Sequence, residues 1–314
     1  MNNLFDVPVL LLIFNRPEQT AKIFEQISLV RPAKLYVAAD GPRIDKLGES
    51  EKCTQARFIV DKVDWPCRVV TLFRDTNLGC REAVSSAVNW FFEQEEEGII
   101  LEDDCLPSSD FFSFCKAMLH TYRHDSRIGH ICGSNFQLGQ KRGDGSYYFS
   151  RIPHVWGWAS WRRAWKGYDV NISTFPEFKS SRLMEGIPAF SEFSEQWLNT
   201  FERVYKDNFD TWDYQYTYHH LVNNRLAIIP NSNLIKNIGF DEQATHTHRL
   251  EDYHADTPFG EMKNILQPSF VLADEQADLF TINKEMGQMK IKKYILSKTW
   301  KKIKGKHIKW GNGI

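Results

Sequence analysis

Three adjacent carboxylates, Glu102, Asp103 and Asp104, follow the apolar run Ile99-Ile100-Leu101. A run that short and apolar reads as a buried strand. A strand covered on both faces holds no charge inside its sheet, so the acids fall at its carboxyl end, where open α/β sheets hold ligands. Three carboxylates in a row repel one another. A divalent cation relieves that repulsion, and hard oxygen donors suit Mg²⁺ or Mn²⁺. Taken alone, the triplet reads equally well as a solvated acidic turn. Two other strand ends carry polar groups, Asn15-Arg16 and Asp40. A further acid, Asp213, opens the polar and aromatic helix start Trp212-Asp213-Tyr214, where it serves either the helix dipole or a proton transfer. The stretch His154 to Trp165 holds four tryptophans, and indoles either fill a core or stack on sugar rings. His219-His220 lacks an acidic partner at metal-ligand spacing and reads as core or surface.

The elements that must position these groups follow from periodicity. Val7 to Phe14 reads as a central strand, Leu35 to Ala39 as a second and Arg68 to Phe73 as a third. Between them lie helical stripes, such as Val84, Ala87, Val88, Phe91 and Phe92, spaced i, i+3, i+4. Strands alternating with helices at this spacing predict a parallel, doubly wound α/β sheet. Its loops bring Asn15, Arg16, Asp40, Asn77 and the triplet to one edge. After the triplet come an amphipathic helix through Phe111 and Tyr122, a strand at Ile128 to Cys132, a mobile Gly-rich loop over 137–146, a helix ending at Tyr205 and a short strand closed by Pro230. The expected organisation is one domain over 1–280, with a nucleotide half of about 1–135 and a second half of about 136–280. A basic amphipathic tail follows over 281–314.

Composition narrows the class. The chain has 314 residues, 42% hydrophobic and 14% aromatic content and a formal net charge of -1, which describes a packed globular protein and does not point to nucleic acid. The six cysteines show neither a CxxC pair nor zinc spacing and read as reduced thiols. The start lacks a basic n-region and a long apolar run, so the expected location is cytoplasmic. In the tail, lysines from Lys290 to Lys309 alternate with Ile291, Tyr294, Trp300 and Trp310. Such a stretch suits an anionic membrane surface or a solvated end.

The ordered set of Glu102-Asp103-Asp104, Ser109-Asp110-Phe111-Phe112, Gly157-Trp158 and Trp212-Asp213 resembles the GT-A glycosyltransferases. Within them it is most similar to the N-acetylglucosaminyltransferase I group, whose variant of the Asp-x-Asp motif is Glu-Asp-Asp. The resemblance spans roughly residues 7–250. It implies a GT-A Rossmann-like fold, a nucleotide-sugar donor, UDP by preference, and Mn²⁺ or Mg²⁺. It implies Asp104 as metal ligand, with His246 on metal or diphosphate. Glu102 and Asp103 would face the ribose and donor sugar, Asp40 the base, and Asn15 and Arg16 the nucleotide and diphosphate. Asp213 would be the general base. His154, Trp156, Trp158 and Trp212 would line the acceptor, a cell-surface glycan or glycolipid. Tyr214 stands where the eukaryotic relatives carry a second acid. Rival readings are a sugar-1-phosphate nucleotidyltransferase, though Phe14-Asn15-Arg16-Pro17 lacks the expected glycine-rich loop, a non-catalytic carbohydrate-binding protein, and a metal-dependent phosphohydrolase.

Overall fold

The structure, a computed structural model, describes residues 4–206, 209–239, 259–262 and 264–285. It is an α/β fold around an eight-stranded mixed sheet. The first half is built by alternation: β1 (Val9–Ile13), α1 (Pro17–Val30), β2 (Lys34–Ala39), α2 (Glu49–Arg57), β3 (Arg68–Phe73), α3 (Gly79–Gln94) and β4 (Glu97–Glu102). β1 pairs in parallel with both β2 and β4, and β3 adds to the outside of β2. The chain moves outward from β1 to β3 and then crosses back to β4. The strand order therefore reverses between β1 and β4, and a crevice opens at their carboxyl ends.

After the triplet the chain forms a short β5 (Cys105–Pro107) before α4 (Ser109–Thr121) and β6 (Ile128–Cys132). The remaining elements are β7 (Tyr147–Ser150), β8 (Trp158–Trp161), α5 (Arg162–Trp165), α6 (Phe175–Ser181), α7 (Ser194–Tyr205), α8 (Asp213–Val222), β9 (Leu226–Pro230) and β10 (Ile235–Asn237). The sheet order is β3-β2-β1-β4-β8-β6-β9-β7, while β10 pairs with β5 in a separate ribbon. The mostly parallel sheet expected from the alternation is present, with its antiparallel strands confined to the second half. β8 enters antiparallel between β4 and β6, and β7 lies antiparallel at the far edge. The mostly parallel character holds, and helices cover both faces.

The core divides by face. Ile23, Phe24, Ile27 and Ala56 of α1 and α2 pack with Phe111, Phe114 and Leu119 of α4 on one side of the sheet. On the other, Ala87, Val88, Phe91 and Phe92 of α3 pack with Trp158, Trp165, Trp212 and Tyr216. A third cluster joins α6, α7 and α8 through Phe175, Trp197, Phe201 and Tyr218. All six cysteines are unpaired. No described helix is long and apolar enough to cross a membrane. The loop over 137–146, read as mobile from composition, is tied down. Asn231 Nδ2 donates to the carbonyls of Arg142 (2.8 Å) and Gly145 (3.1 Å), and Gln137 Nε2 donates to Thr281 Oγ1 (2.9 Å).

Residues 275–285 are helical and anchor on β7 through Asp278. Its carboxylate accepts from Ser150 Oγ (2.5 Å) and the Arg151 N–H (3.1 Å). Burial nevertheless pushes the carboxyl from 3.8 up to about 6. Between those two values the folded chain keeps a proton that the unfolded chain releases, so this group's contribution to stability declines as pH rises through the window. The expected result is that Asp278→Asn flattens the fall in melting temperature between about pH 4 and pH 7. Parallel curves for variant and wild type would remove Asp278 from that dependence.

Candidate active site

The crevice is built from three chain ends that the sheet brings together. From the end of β1, Arg16 Nη1 donates to Asp104 Oδ2 at 2.7 Å and lies 3.6 Å from Asp103 Oδ1. The Phe14 N–H donates to Asp103 Oδ2 at 3.1 Å, fixing that side chain against the strand. Asn15 Nδ2 donates to Glu49 Oε1 at 2.8 Å, and Glu49 in turn is clasped by the Arg43 guanidinium. That clasp holds the Glu49 carboxyl down to about 2 and ties the loop before α2 to the crevice floor.

From the end of β4 come the acids. Glu102 is half-buried, and its carboxylate makes no hydrogen bond to a partner among the described residues. Burial, then Asp104, Asp103 and Asp213, raise its carboxyl well above the usual range, against the pull of Arg16. Burial and Asp104 likewise push Asp103 up to about 7, although Arg16 and the Phe14 N–H favour its charged form. In both cases burial acts first, and the neighbouring acids add to it against the opposing pull of Arg16.

The third end is α8. Asp213 begins this helix; its Oδ1 accepts from Thr211 Oγ1 and, at 2.9 Å, from the Tyr214 N–H. Its Oδ2 meets no donor among the described residues. The tryptophans fix its position: Trp212 stacks on Trp158 at 5.8 Å between ring centroids, and Tyr168 Oη donates to the Trp212 carbonyl at 3.0 Å. Asp213 thereby lies close enough to Glu102 to raise its pKa, although the two are far apart in sequence. Cys80 marks the same space, since its thiol is pushed up by burial and by Glu102, Asp213, Asp210 and Asp104.

Several groups here escaped the sequence reading. Asp210 accepts from the N–H groups of Cys80 (3.1 Å) and Arg81 (2.8 Å), capping α3 from a distant loop. Gly79, at φ +81°, lets the chain turn beneath that carboxylate. Gly239 lies against the Arg16–Asp104 pair, where a Cβ would meet Asp104 Oδ2 at 2.4 Å and Arg16 Nη1 at 2.9 Å. The Ile238 N–H donates to the Asp104 carbonyl at 2.8 Å, so the end of β10 closes one side of the crevice. A glycine after a strand was the only available signal, and it names no partner.

Four expectations change. Asp40 was read as meeting the nucleotide base, but its carboxylate is spent on the protein. It accepts from Gly41 N–H (2.9 Å), from Leu78 N–H at both oxygens (3.0 and 3.1 Å) and from Asn77 Nδ2 (2.8 Å), which fills its four acceptor positions. Asp40 thus ties the loop after β2 to the loop after β3. Trp158 and Trp212 are 0% and 3% exposed and present no face to an acceptor sugar; Trp158 is core because β8 is covered on both faces, and Trp212 because it stacks on Trp158. His154 is also buried, with its ring against Phe136 at 4.6 Å. Trp156 remains half-buried beside Phe136 and keeps accessible surface. His246 lies outside the described residues, as does most of the basic tail.

The donor set suits a divalent cation in kind: hard oxygens, held together with more negative charge than Arg16 neutralises. No group of three or more His, Cys, Asp or Glu side chains among the described residues converges to hold a metal unaided. A cation here would complete its shell with ligand oxygens and water, as Mg²⁺ commonly does.

No family profile and no curated protein matches the sequence. Among solved structures, the chain is similar to HddC from Yersinia pseudotuberculosis, with 11% identity, 50% of this chain and 77% of that chain covered, and a TM-score of 0.31. It is also similar to a UDP-glucose pyrophosphorylase complexed with UDP-glucose, with 10% identity, 72% and 90% coverage, and a TM-score of 0.34. Likenesses this slight bear on no detail of the chemistry.

Proposed function

We propose that the chain is a metal-dependent, inverting glycosyltransferase that moves a sugar from a nucleoside-diphosphate sugar, UDP-linked by preference, to a hydroxyl of a glycan or glycolipid acceptor. The observation that carries this reading is the triplet Glu102, Asp103 and Asp104 at the strand-order reversal, with Asp213 at the start of α8 within electrostatic reach of Glu102. A non-catalytic binding module needs no such gathering of acids beside a carboxylate oxygen that meets no donor among the described residues. The resemblance to the GT-A enzymes supports the same reading.

In this mechanism Arg16 and Asn15 border the diphosphate, and Glu102 and Asp103 face the ribose and the donor sugar. Asp104 would hold a divalent ion, which when bound would supply positive charge to the leaving diphosphate. Asp213 holds Oδ1 on Thr211 and Tyr214 and keeps Oδ2 for the acceptor hydroxyl, whose proton it takes during attack. Attack on the face opposite the departing diphosphate inverts the anomeric carbon. A divalent ion at Asp104 would also offset the negative charge gathered beside Glu102 and Asp103. The acceptor half corresponds to about 136–280, with Trp156 at its accessible edge. The basic tail is placed at an anionic membrane surface inside the cell, where such acceptors are built.

The reading is tested by incubating the protein with UDP-sugars and Mn²⁺ and following the products. Release of UDP that requires an acceptor glycan is the expected result. Pyrophosphate formation from UTP and a sugar 1-phosphate would instead assign nucleotidyl transfer, and release of inorganic phosphate would assign hydrolysis.

A further inference from the structure

β7 is the last strand of the sheet, and the segment over 264–274 runs along its free edge. The Ser146 N–H donates to the Leu266 carbonyl (2.8 Å), and the Leu266 N–H returns to Ser146 Oγ (2.9 Å). Further along, Phe149 bridges Ala273, and the Asp274 N–H donates to the Phe149 carbonyl (2.8 Å). Such a cover protects a sheet edge from pairing with another chain. Fixing the main chain in this way leaves the outward side chains without cover. Ile265, Leu266, Phe270 and Leu272 are 39%, 60%, 75% and 72% exposed. Single exposed apolar residues are ordinary, but four large ones between positions 265 and 272 concentrate apolar surface on one short segment.

Charge along the neighbouring stretches of the chain bears on the partner, with Glu261 and Glu285 among the acids there. Arg142 and Lys284 each stand 5.6 Å from the Phe280 ring, one from the loop next to the segment and one from the helix that follows it. Two nearby acids are occupied: Asp144 accepts from Ser269 Oγ at 2.5 Å, and Asp274 accepts from the Ala277 N–H at 2.9 Å. Asp278 is buried, and Glu275 remains exposed. Directly after the helix the sequence over 286–314 carries nine lysines and no Asp or Glu. A protein groove would need an apolar floor and an acidic rim in one fixed geometry, whereas a bilayer offers both without a fixed shape. An anionic bilayer matches both, with headgroups for the lysines and the acyl boundary for the apolar groups.

We infer that the segment over 264–272 is a lipid-contacting wedge, with Ile265, Leu266, Phe270 and Leu272 entering the interfacial layer of an anionic membrane to which the lysine-rich sequence draws the chain. This is independent of the catalytic chemistry and rests on the proposed placement of the basic tail at a membrane. The wedge supplies what charge alone does not, namely binding that persists when salt screens the lysines.

The test is co-sedimentation of the full-length protein with phosphatidylcholine–phosphatidylglycerol vesicles at low and high salt. The wild type is expected to sediment with them. Phe270→Glu/Leu272→Glu should lower the partition coefficient by about tenfold or more, because two apolar side chains no longer leave water. Both positions are exposed, so the melting temperature should not change. Phe270→Trp should retain binding, since indole favours the interfacial layer. Wild-type partitioning by the double variant overturns the wedge, as does failure of the wild type to sediment. A concentration-dependent dimer lost in the double variant, without vesicle binding, would overturn it too, by showing a second copy on the patch.

Discussion

Asp213→Asn is expected to lower kcat by about 10²- to 10⁴-fold while leaving the affinity for UDP near that of the wild type. The amide keeps the size of the side chain and can still accept from Thr211 and the Tyr214 N–H through its oxygen. It cannot take a proton from the acceptor hydroxyl. Donor contacts belong to Arg16 and the triplet, on other elements, so the loss should fall equally on kcat and kcat/KM, the pattern of an interaction made only in the transition state. The competing role is that of a helix-start acid. In that role the substitution costs about 1 kcal/mol or less of stability and leaves turnover nearly intact. Turnover within a few-fold of wild type, measured with a competent acceptor, excludes Asp213 as the base.

Asp104→Ala is expected to bring UDP affinity in Mn²⁺ down by about tenfold or more, to the level seen in EDTA. Asp104 is the member of the triplet that turns a carboxylate oxygen toward Arg16, and its side chain is only partly buried. Its removal leaves Arg16 within reach of Asp103, and the Phe14 N–H still holds Asp103 in place. The fold should therefore survive, with a melting transition close to that of the wild type. Titration calorimetry with UDP, in Mn²⁺ and in EDTA, reads the effect directly. Equal affinity in the two conditions for the wild type would show that no divalent ion acts in donor binding.

The strands and acids that were legible in the sequence are those whose structure is decided locally. Ile99 to Leu101 must be a buried strand because nothing else accommodates so short an apolar run between charges, and the acids must then fall at its end. The same logic places β1 and β2, and the stripe from Val84 to Phe92 requires the helix that lies over them. Apolar periodicity states that a residue is buried and on which face of its element. It does not state which distant element covers it. The tryptophan stretch could thus be core or sugar platform until β8 was found between β4 and β6, with Ile99 opposite Ala159. Asp40 could be ligand or latch until Leu78 and Asn77 were seen to fill its oxygens. Asp213 comes within electrostatic reach of Glu102 because Trp212 stacks on Trp158 and carries the start of α8 to the crevice, and Arg16 meets Asp104 because β1 and β4 are neighbours. The sequence by itself determined the alternating half and the acids at its edge. Long-range packing decided which side chains face them, since pairing and stacking join residues whose separation along the chain carries no local signal.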